Sequence, residues 1–322
     1  MRHNYFQYMK KWIIAAGVLF ILTAGSIYIF IPSKIVISKI IIGKITINGE
    51  NRFLAKEEKW EKWWRESDGK KHIPGSPFSY HGATYRLTSY LNNAVGIEIF
   101  DQGQKMNSVL HLFSLNTDST GTEWECEFPA GMNPIGRVKN YRKAVAIKEN
   151  ITGVMKNLIS FLEDYRNIYG IEIRKTTNYD TLLISTRFKS VSYPSTEEIY
   201  GQLSKMEENI KAQKATVTGF PMLHIEKKAE DSYETQLAIG TSIWMKDNGP
   251  YFSRRMVAGN FMVSDVTGGL YTINQAYEQL DKYMDDYAKT RMAIPFQLLL
   301  TDRIKEPDTA KWKTRLYMPV ME

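Results

Sequence analysis

Three short segments of the C-terminal half occur twice, in the same order. IYGQLSKM from Ile199 parallels AYEQLDKY from Ala276, PMLHIE from Pro221 parallels PFQLLL from Pro295, and YETQLAI from Tyr233 parallels WKTRLYM from Trp312. The offsets are 77, 74 and 79 residues, and spacing this regular predicts two copies of a strand, helix, strand, strand unit. In the first copy Ile199, Leu203, Met206 and Ile210 recur at helical steps behind the start signal Ser195-Thr196-Glu197-Glu198. In the second, Ala276, Tyr277, Leu280, Tyr283, Met284 and Tyr287 do the same. TLLISTRF, YFSRRMVAGNFMVSDV and the repeated PMLHIE, PFQLLL, YETQLAI and KTRLYMPV segments read as strands. Each half has one apolar helix face and half a sheet to cover, so the two halves are expected to complete one core.

The N-terminus is organised differently. WIIAAGVLFILTAGSIYIFIP, residues 12–32, runs 21 positions without a charge, enough to cross a hydrocarbon core as a helix. Lys10 and Lys11 precede it, Trp12 and Tyr28 suit the two interfaces, and Pro32 marks its end. Ala24-Gly25-Ser26 offers the small residues of a cleavable signal peptide, but the apolar stretch continues to Ile31 and exceeds a usual signal core. The expectation is a single-pass anchor, residues 1–33 forming a cytosolic tail and transmembrane segment. Basic residues flank the span on both sides, Arg2, Lys10 and Lys11 before it and Lys34, Lys39 and Lys44 after it, so the positive-inside rule is nearly balanced. Retention of the short tail in the cytosol puts the remaining domains outside.

Between anchor and repeat lies a second globular stretch. IVISKIIIGKITIN, residues 35–48, is β-branched and too interrupted by Lys39, Gly43 and Lys44 to be another span, and reads as a strand. KEEKWEKWWRE, residues 56–66, gathers Trp60, Trp63 and Trp64 on one helical face. Three uses are open for them: core, the wall of a cavity, or a membrane interface, with the spacing favouring core. Then SYHGATYRLTSYL, AVGIEIFDQ, SVLHLFSL and EWECEF alternate as consecutive antiparallel strands, and from Ile151 the period turns helical through Val154, Leu158, Phe161, Leu162 and Tyr165. This is an α+β domain.

Charge excludes one function class. The formal charge is +7, of which residues 1–34 hold +4, while residues 171–322 hold 20 basic against 20 acidic residues. Phosphate binding requires a clustered basic face, which is missing, so no nucleic-acid partner is expected. The single cysteine, Cys126, forms no intrachain disulfide, and the five histidines show no paired spacing for a metal. No glycine-rich phosphate loop or nucleophile elbow is present, and no cofactor is expected.

Two family resemblances rest on these segments. PSKIVISK followed by NRFLAKEEKWEKWW resembles the opening of the SRPBCC, or polyketide-cyclase-like, helix-grip superfamily over residues 34–168. That resemblance implies a curved antiparallel sheet gripping a long helix around an apolar cavity, with Trp60, Trp63 and Trp64 at its edge or in its core. MVAGNFMVSDVTGGLYTINQAYEQLDKYM, PFQLLLTD and KTRLYMPV resemble the GyrI-like, or AraC-type, effector-binding domain over residues 171–322. It implies a pseudo-symmetric β-α-β-β duplication with an aromatic groove for an amphipathic or cationic aromatic ligand, and a buried glutamate in a PFEIYLNDP-like strand. Here Gln297 stands at the acid and Leu299 at the strand tyrosine. An amide only donates and accepts hydrogen bonds, which argues against general-base hydrolysis and against strong cation selectivity. Tyr200, His224, Trp244, Phe261, Tyr271, Tyr277 and Gln297 are the expected groove residues.

The function expected is membrane-anchored, noncatalytic binding or sensing of a small amphipathic or aromatic molecule. The alternatives are a hydrolase or cyclase-like enzyme on a small apolar molecule, and a scaffold whose pockets are filled by its own side chains. Oligomeric state is not legible from the sequence.

Overall fold

The computed structural model describes residues 2–178, 181–256 and 258–321. The chain divides into two compact units, Met1–Glu163 and Asp164–Glu322. Both are α+β with antiparallel sheets, one sheet curling into a half-barrel.

In the first unit helix α1 (Arg2–Phe30) precedes strand β1 (Lys34–Gly43), helix α2 (Ile47–Leu54) and the single-turn helix α3 (Trp60–Trp63). Then come strands β2 (Phe78–Tyr80), β3 (Ala83–Leu91), β4 (Ala94–Asp101), β5 (Gln104–Ser114) and β6 (Thr120–Pro129), closed by helix α4 (Pro134–Leu162). The sheet order is β1-β6-β5-β4-β3-β2, a meander with the first strand added beside the last. Gln102 and Gly103 at φ 46° and 78° make the two-residue turn between β4 and β5, the left-handed pair whose twist matches the strands.

Alternation chooses the buried face. Ile37, Cys126, Ser108 and Ile97 are successive cross-strand partners in β1, β6, β5 and β4, and all are buried. Helix α4 packs on β1 and β6. It begins at Pro134, well before the helical pattern seen from Ile151, because its first half is largely solvent-facing: Ile135, Tyr141 and Val145 are exposed while Ala144 and Ile147 are buried. Asn133 caps it by accepting from the Gly136 N–H.

The second unit starts with helix α5 (Tyr165–Tyr169), so Tyr165 lies beyond α4 and packs edge-on against Tyr283 and Tyr287. Strands β7 (Arg174–Asn178) and β8 (Thr181–Ser190), helix α6 (Thr196–Ala212), and strands β9 (Val217–Ala229) and β10 (Ser232–Thr241) form the first repeat. The second comprises β11 (Phe252–Met256), β12 (Gly259–Thr267), helix α7 (Leu270–Asp286), β13 (Thr290–Arg291), β14 (Phe296–Leu299) and β15 (Lys313–Met321). The stretch YFSRRMVAGNFMVSDV, read as strand, forms two strands, β11 and β12, with Val257 outside the described residues.

The sheet runs β11-β8-β10-β9-β14-β15-β12-β7. Read from the middle outward it is the same both ways: β9, β10, β8 on one side match β14, β15, β12 on the other. The outermost strands are exchanged, since β7 of the first repeat pairs with β12 and β11 of the second pairs with β8. Neither repeat completes its half of the sheet without the other.

The helices do not share a single core, as the sequence suggested. Helix α6 packs on β9 and β10 with Ile199, Leu203, Met206 and Ile210 over Leu223, Leu237 and Ile239, while α7 covers Met262, Leu316 and Met318. Two clusters form because each helix is only 17 residues long and spans its own strands.

Candidate functional site

Strand parity in the second unit assigns two faces. Ile184, Leu223, Leu237 and Leu299 pack in the cluster under α6, and Met262, Leu316 and Met318 in that under α7. Residues of the opposite parity on these strands, among them Ser185, Met222, His224, Ala238, Phe261 and Phe296, point to the opposite, helix-free face. That face holds a cavity of about 1050 Å³.

Its floor is where the two repeats meet. Met222 and His224 on β9, Phe296 on β14 and Phe261 on β12 supply the apolar surface, with Gln236 and Ala238 on β10 beside them. Phe261 meets Phe296 at 6.0 Å between ring centroids and 79°, an edge-to-face contact. Phe252, Met292 and Ile294 extend the apolar wall, and Arg187, Arg254 and Arg255 also line it. The volume and lining suit a small organic molecule. Among the described lining residues there is no carboxylate.

The seven expected residues separate. His224 and Phe261 line the cavity. Gln297, one position from Phe296, faces the helices instead and is buried, accepting from Arg303 Nη2 at 3.4 Å. Tyr200 meets the same arginine: its hydroxyl accepts from the Arg303 backbone N–H at 2.8 Å and donates to Thr301 O at 3.1 Å. Tyr277 packs half-buried against the cluster under α7, where burial raises its hydroxyl pKa. Tyr271 and Trp244 are 74% and 59% exposed, the first in the opening turn of α7 and the second after β10. Two of the seven therefore meet in the cavity, and two meet around Arg303 on the other face.

Arg303 is buried with Nη2 donating to Thr314 Oγ1 at 2.9 Å and its guanidinium 4.6 Å from the Trp312 ring. No carboxylate pairs with it among the described residues, and desolvation lowers its pKa. Gln297 is thus a structural partner of a buried cation. Gln297→Ala is expected to cost about 2 kcal/mol of stability, from the lost bond to a charged donor, and to leave cavity binding intact. Chemical denaturation together with ligand titration checks both halves of that statement.

Sequence reasoning missed Met222, Phe296, Phe252, Ala238 and Arg254. The available signal was parity: Met222 shares a face with His224, and Phe296 takes the opposite face from Gln297.

In the first unit all three tryptophans are buried, at 0%, 2% and 1% exposure for Trp60, Trp63 and Trp64. Only Trp60 to Trp63 form a helical turn, while Trp64 is extended at ψ 135°. Their indole N–H groups donate to Leu54 O, Phe53 O and Ser79 O at 3.2, 3.2 and 2.9 Å. They brace one another, with Trp60 and Trp64 stacked at 5.7 Å, and burial this deep keeps lipid away. A cavity of about 490 Å³ nearby is lined by Glu57, Glu61, His72, Phe78 and Tyr85, and none of the three tryptophans lines it.

No family model matches the chain, and no curated protein matches it. Among solved structures, the EcmrR C-terminal domain is similar at 14% identity and a TM-score of 0.42, covering 47% of this chain and 98% of its own. A hydrolase from Listeria innocua is similar at 10% identity and a TM-score of 0.38, covering 46% and 91%. SAV2435, solved bound to tetraphenylphosphonium, is similar at 15% identity and a TM-score of 0.30, covering 47% and 94%. These likenesses fall on the C-terminal half, and at such distances they carry no ligand or reaction over to this chain.

Proposed function

We propose that the second unit is a GyrI-like effector-binding module that binds a small amphipathic or aromatic molecule without chemically changing it. The observation that carries this reading is the cavity of about 1050 Å³ at the junction of the repeats, lined by Met222, Phe252, Phe261 and Phe296. Pseudo-symmetric repeats place β9 and β14 side by side at the centre of the sheet, so the same strands that duplicate the fold supply the cavity floor. A wall of phenylalanine and methionine accepts varied apolar shapes, which suits sensing or sequestration.

Thermal denaturation of the full chain against a panel of aromatic amphiphiles of each charge tests the reading. A ligand at 100 times its dissociation constant adds about 2.7 kcal/mol to the unit that binds it. Ala238 lies between Ser185 and Met222 in the ladder, both lining residues, so Ala238→Phe is expected to fill the cavity and remove that gain. Gains that persist undiminished in Ala238→Phe would count against the site.

For the first unit the helix-grip superfamily is our reading, supported by the order strand, short helices, meander and long helix, with α4 lying on the sheet. For α1 our reading is an uncleaved membrane anchor with the two units outside the cytosol. Lys11–Phe30 is 20 residues long, apolar and unburied, which fits a span and fits equally a signal sequence. The mass of the mature chain from membranes distinguishes them: retention of residues 1–33 supports the anchor, and loss of about the first 25 residues supports a signal sequence.

A further inference from the structure

We infer that the cavity of the second unit takes an amphipathic anion, an apolar body carrying one negative group. This rests on the binding reading above and adds the sign of the ligand's charge. The described lining contains three arginines and no aspartate or glutamate. Two of the three are already engaged: Arg187 Nη1 lies 3.3 Å from Glu234 Oε1, and Arg255 has an interaction partner of its own.

Arg254 decides the matter. Its strand β11 pairs with β8 so that Phe252 and Arg254 stand opposite Ser185 and Leu183, both lining residues. The guanidinium sits 5.3 Å from the Phe252 ring centroid and Nη1 donates at 3.3 Å to the carbonyl of Ser253. Arg254 is exposed at the cavity wall, and among the described residues no carboxylate pairs with it. A cation entering the cavity meets this charge with nothing in the lining to neutralise it. An anion gains a charge-assisted bond from a planar donor whose face already rests on an aromatic ring.

His224 supplies the second polar point. Its Nδ1 lies 2.7 Å from Pro295 O, and because a carbonyl only accepts, Nδ1 carries a proton. Nε2 is buried without a hydrogen-bond partner, 3.9 Å from Glu226 Oε2. With Nδ1 holding the proton, Nε2 presents a lone pair and only accepts, so the group that meets the anion is the Arg254 guanidinium, set in a surface otherwise rich in methionine and phenylalanine. That is the lining an amphipathic molecule requires.

Tetraphenylborate and tetraphenylphosphonium are near in shape and opposite in charge, so they isolate the sign. Each is titrated into the full chain in lipid nanodiscs of one composition, for wild type, Arg254→Met and Ala238→Phe, so that partition into lipid cancels between variants. The expected result is that Arg254→Met lowers the anion-to-cation affinity ratio about ten-fold, through loss of the guanidinium's Coulomb attraction for the borate and repulsion of the phosphonium, while Ala238→Phe abolishes saturable binding of both. An unchanged ratio in Arg254→Met, with both ions still lost in Ala238→Phe, overturns the anion and leaves the binding site standing. Binding of both ions untouched by Ala238→Phe, or no saturable binding of either, overturns the site itself. Circular dichroism melts verify that the variants fold, and Met222→Trp fills the same space from the neighbouring strand if Ala238→Phe does not.

Discussion

Trp64→Ala is expected to destabilise the first unit by about 3–5 kcal/mol, the range for truncating a large buried aromatic. The side chain is 1% exposed, donates to Ser79 O at 2.9 Å, stacks on Trp60, and touches the rings of Phe78 and Tyr85 at 5.4 and 5.2 Å. Truncation therefore opens a cavity and leaves the Ser79 carbonyl without its donor. Trp64→Phe retains most of the volume and loses the bond, and is expected to cost roughly 1–2 kcal/mol, because the half-buried Ser79 carbonyl loses its donor. Denaturant titration followed by near-ultraviolet dichroism reads both. Cavity binding in the second unit is expected to be unaffected, since every lining residue lies between Leu183 and Met321. A Trp64 variant that lost ligand binding while remaining folded would contradict the core assignment.

Glu50 produces the second large effect, on the pH dependence of stability. It lies in α2 with 0% exposure, its Oε1 accepting from Thr122 Oγ1 at 2.7 Å and its Oε2 buried without a partner. Desolvation pushes its pKa up from 4.5 to about 7, against the lowering effect of the Thr122 bond. Below pH 4.5 the folded and unfolded chains both hold the proton, and the contribution to stability is fully present. Between 4.5 and about 7 the unfolded chain gives the proton up while the folded one keeps it, so stability falls as pH rises. Above about 7 the loss is complete, on the order of 3 kcal/mol. Glu50→Gln is expected to flatten this slope and to stabilise the first unit by a similar amount at pH 8. Urea titrations at pH 5 and pH 8 decide it, and a wild type equally stable at both would sink the idea.

Much of the second unit was legible before folding was considered. The offsets of 77, 74 and 79 residues gave the duplication, and the capping signal at Ser195 located the start of α6, where Ser195 and Glu198 form the expected reciprocal bonds. The strand exchange was not legible. Nothing in RKTTN or FSRRM states that β7 crosses to β12 and β11 to β8, because both segments are short and their partners lie 81 to 89 and 67 to 75 residues away. The site was half legible for a related reason. Matching segments placed Gln297 at a family position, yet its neighbour Phe296 faces the cavity. A one-residue difference in a strand is a change of face.

The sequence by itself determined which segments pair as repeats, that Trp60, Trp63 and Trp64 belong together, and that residues 12–32 form an uncharged apolar stretch, because local periodicity and composition are enough for each. Only the tertiary structure decided which face of the nine-stranded sheet the helices cover. That choice buries Gln297 beside Arg303 and turns His224, Phe261 and Arg254 into one cavity. The physical reason is that alternation gives every strand two faces of equal standing, and packing of α6 and α7 against one of them breaks the tie.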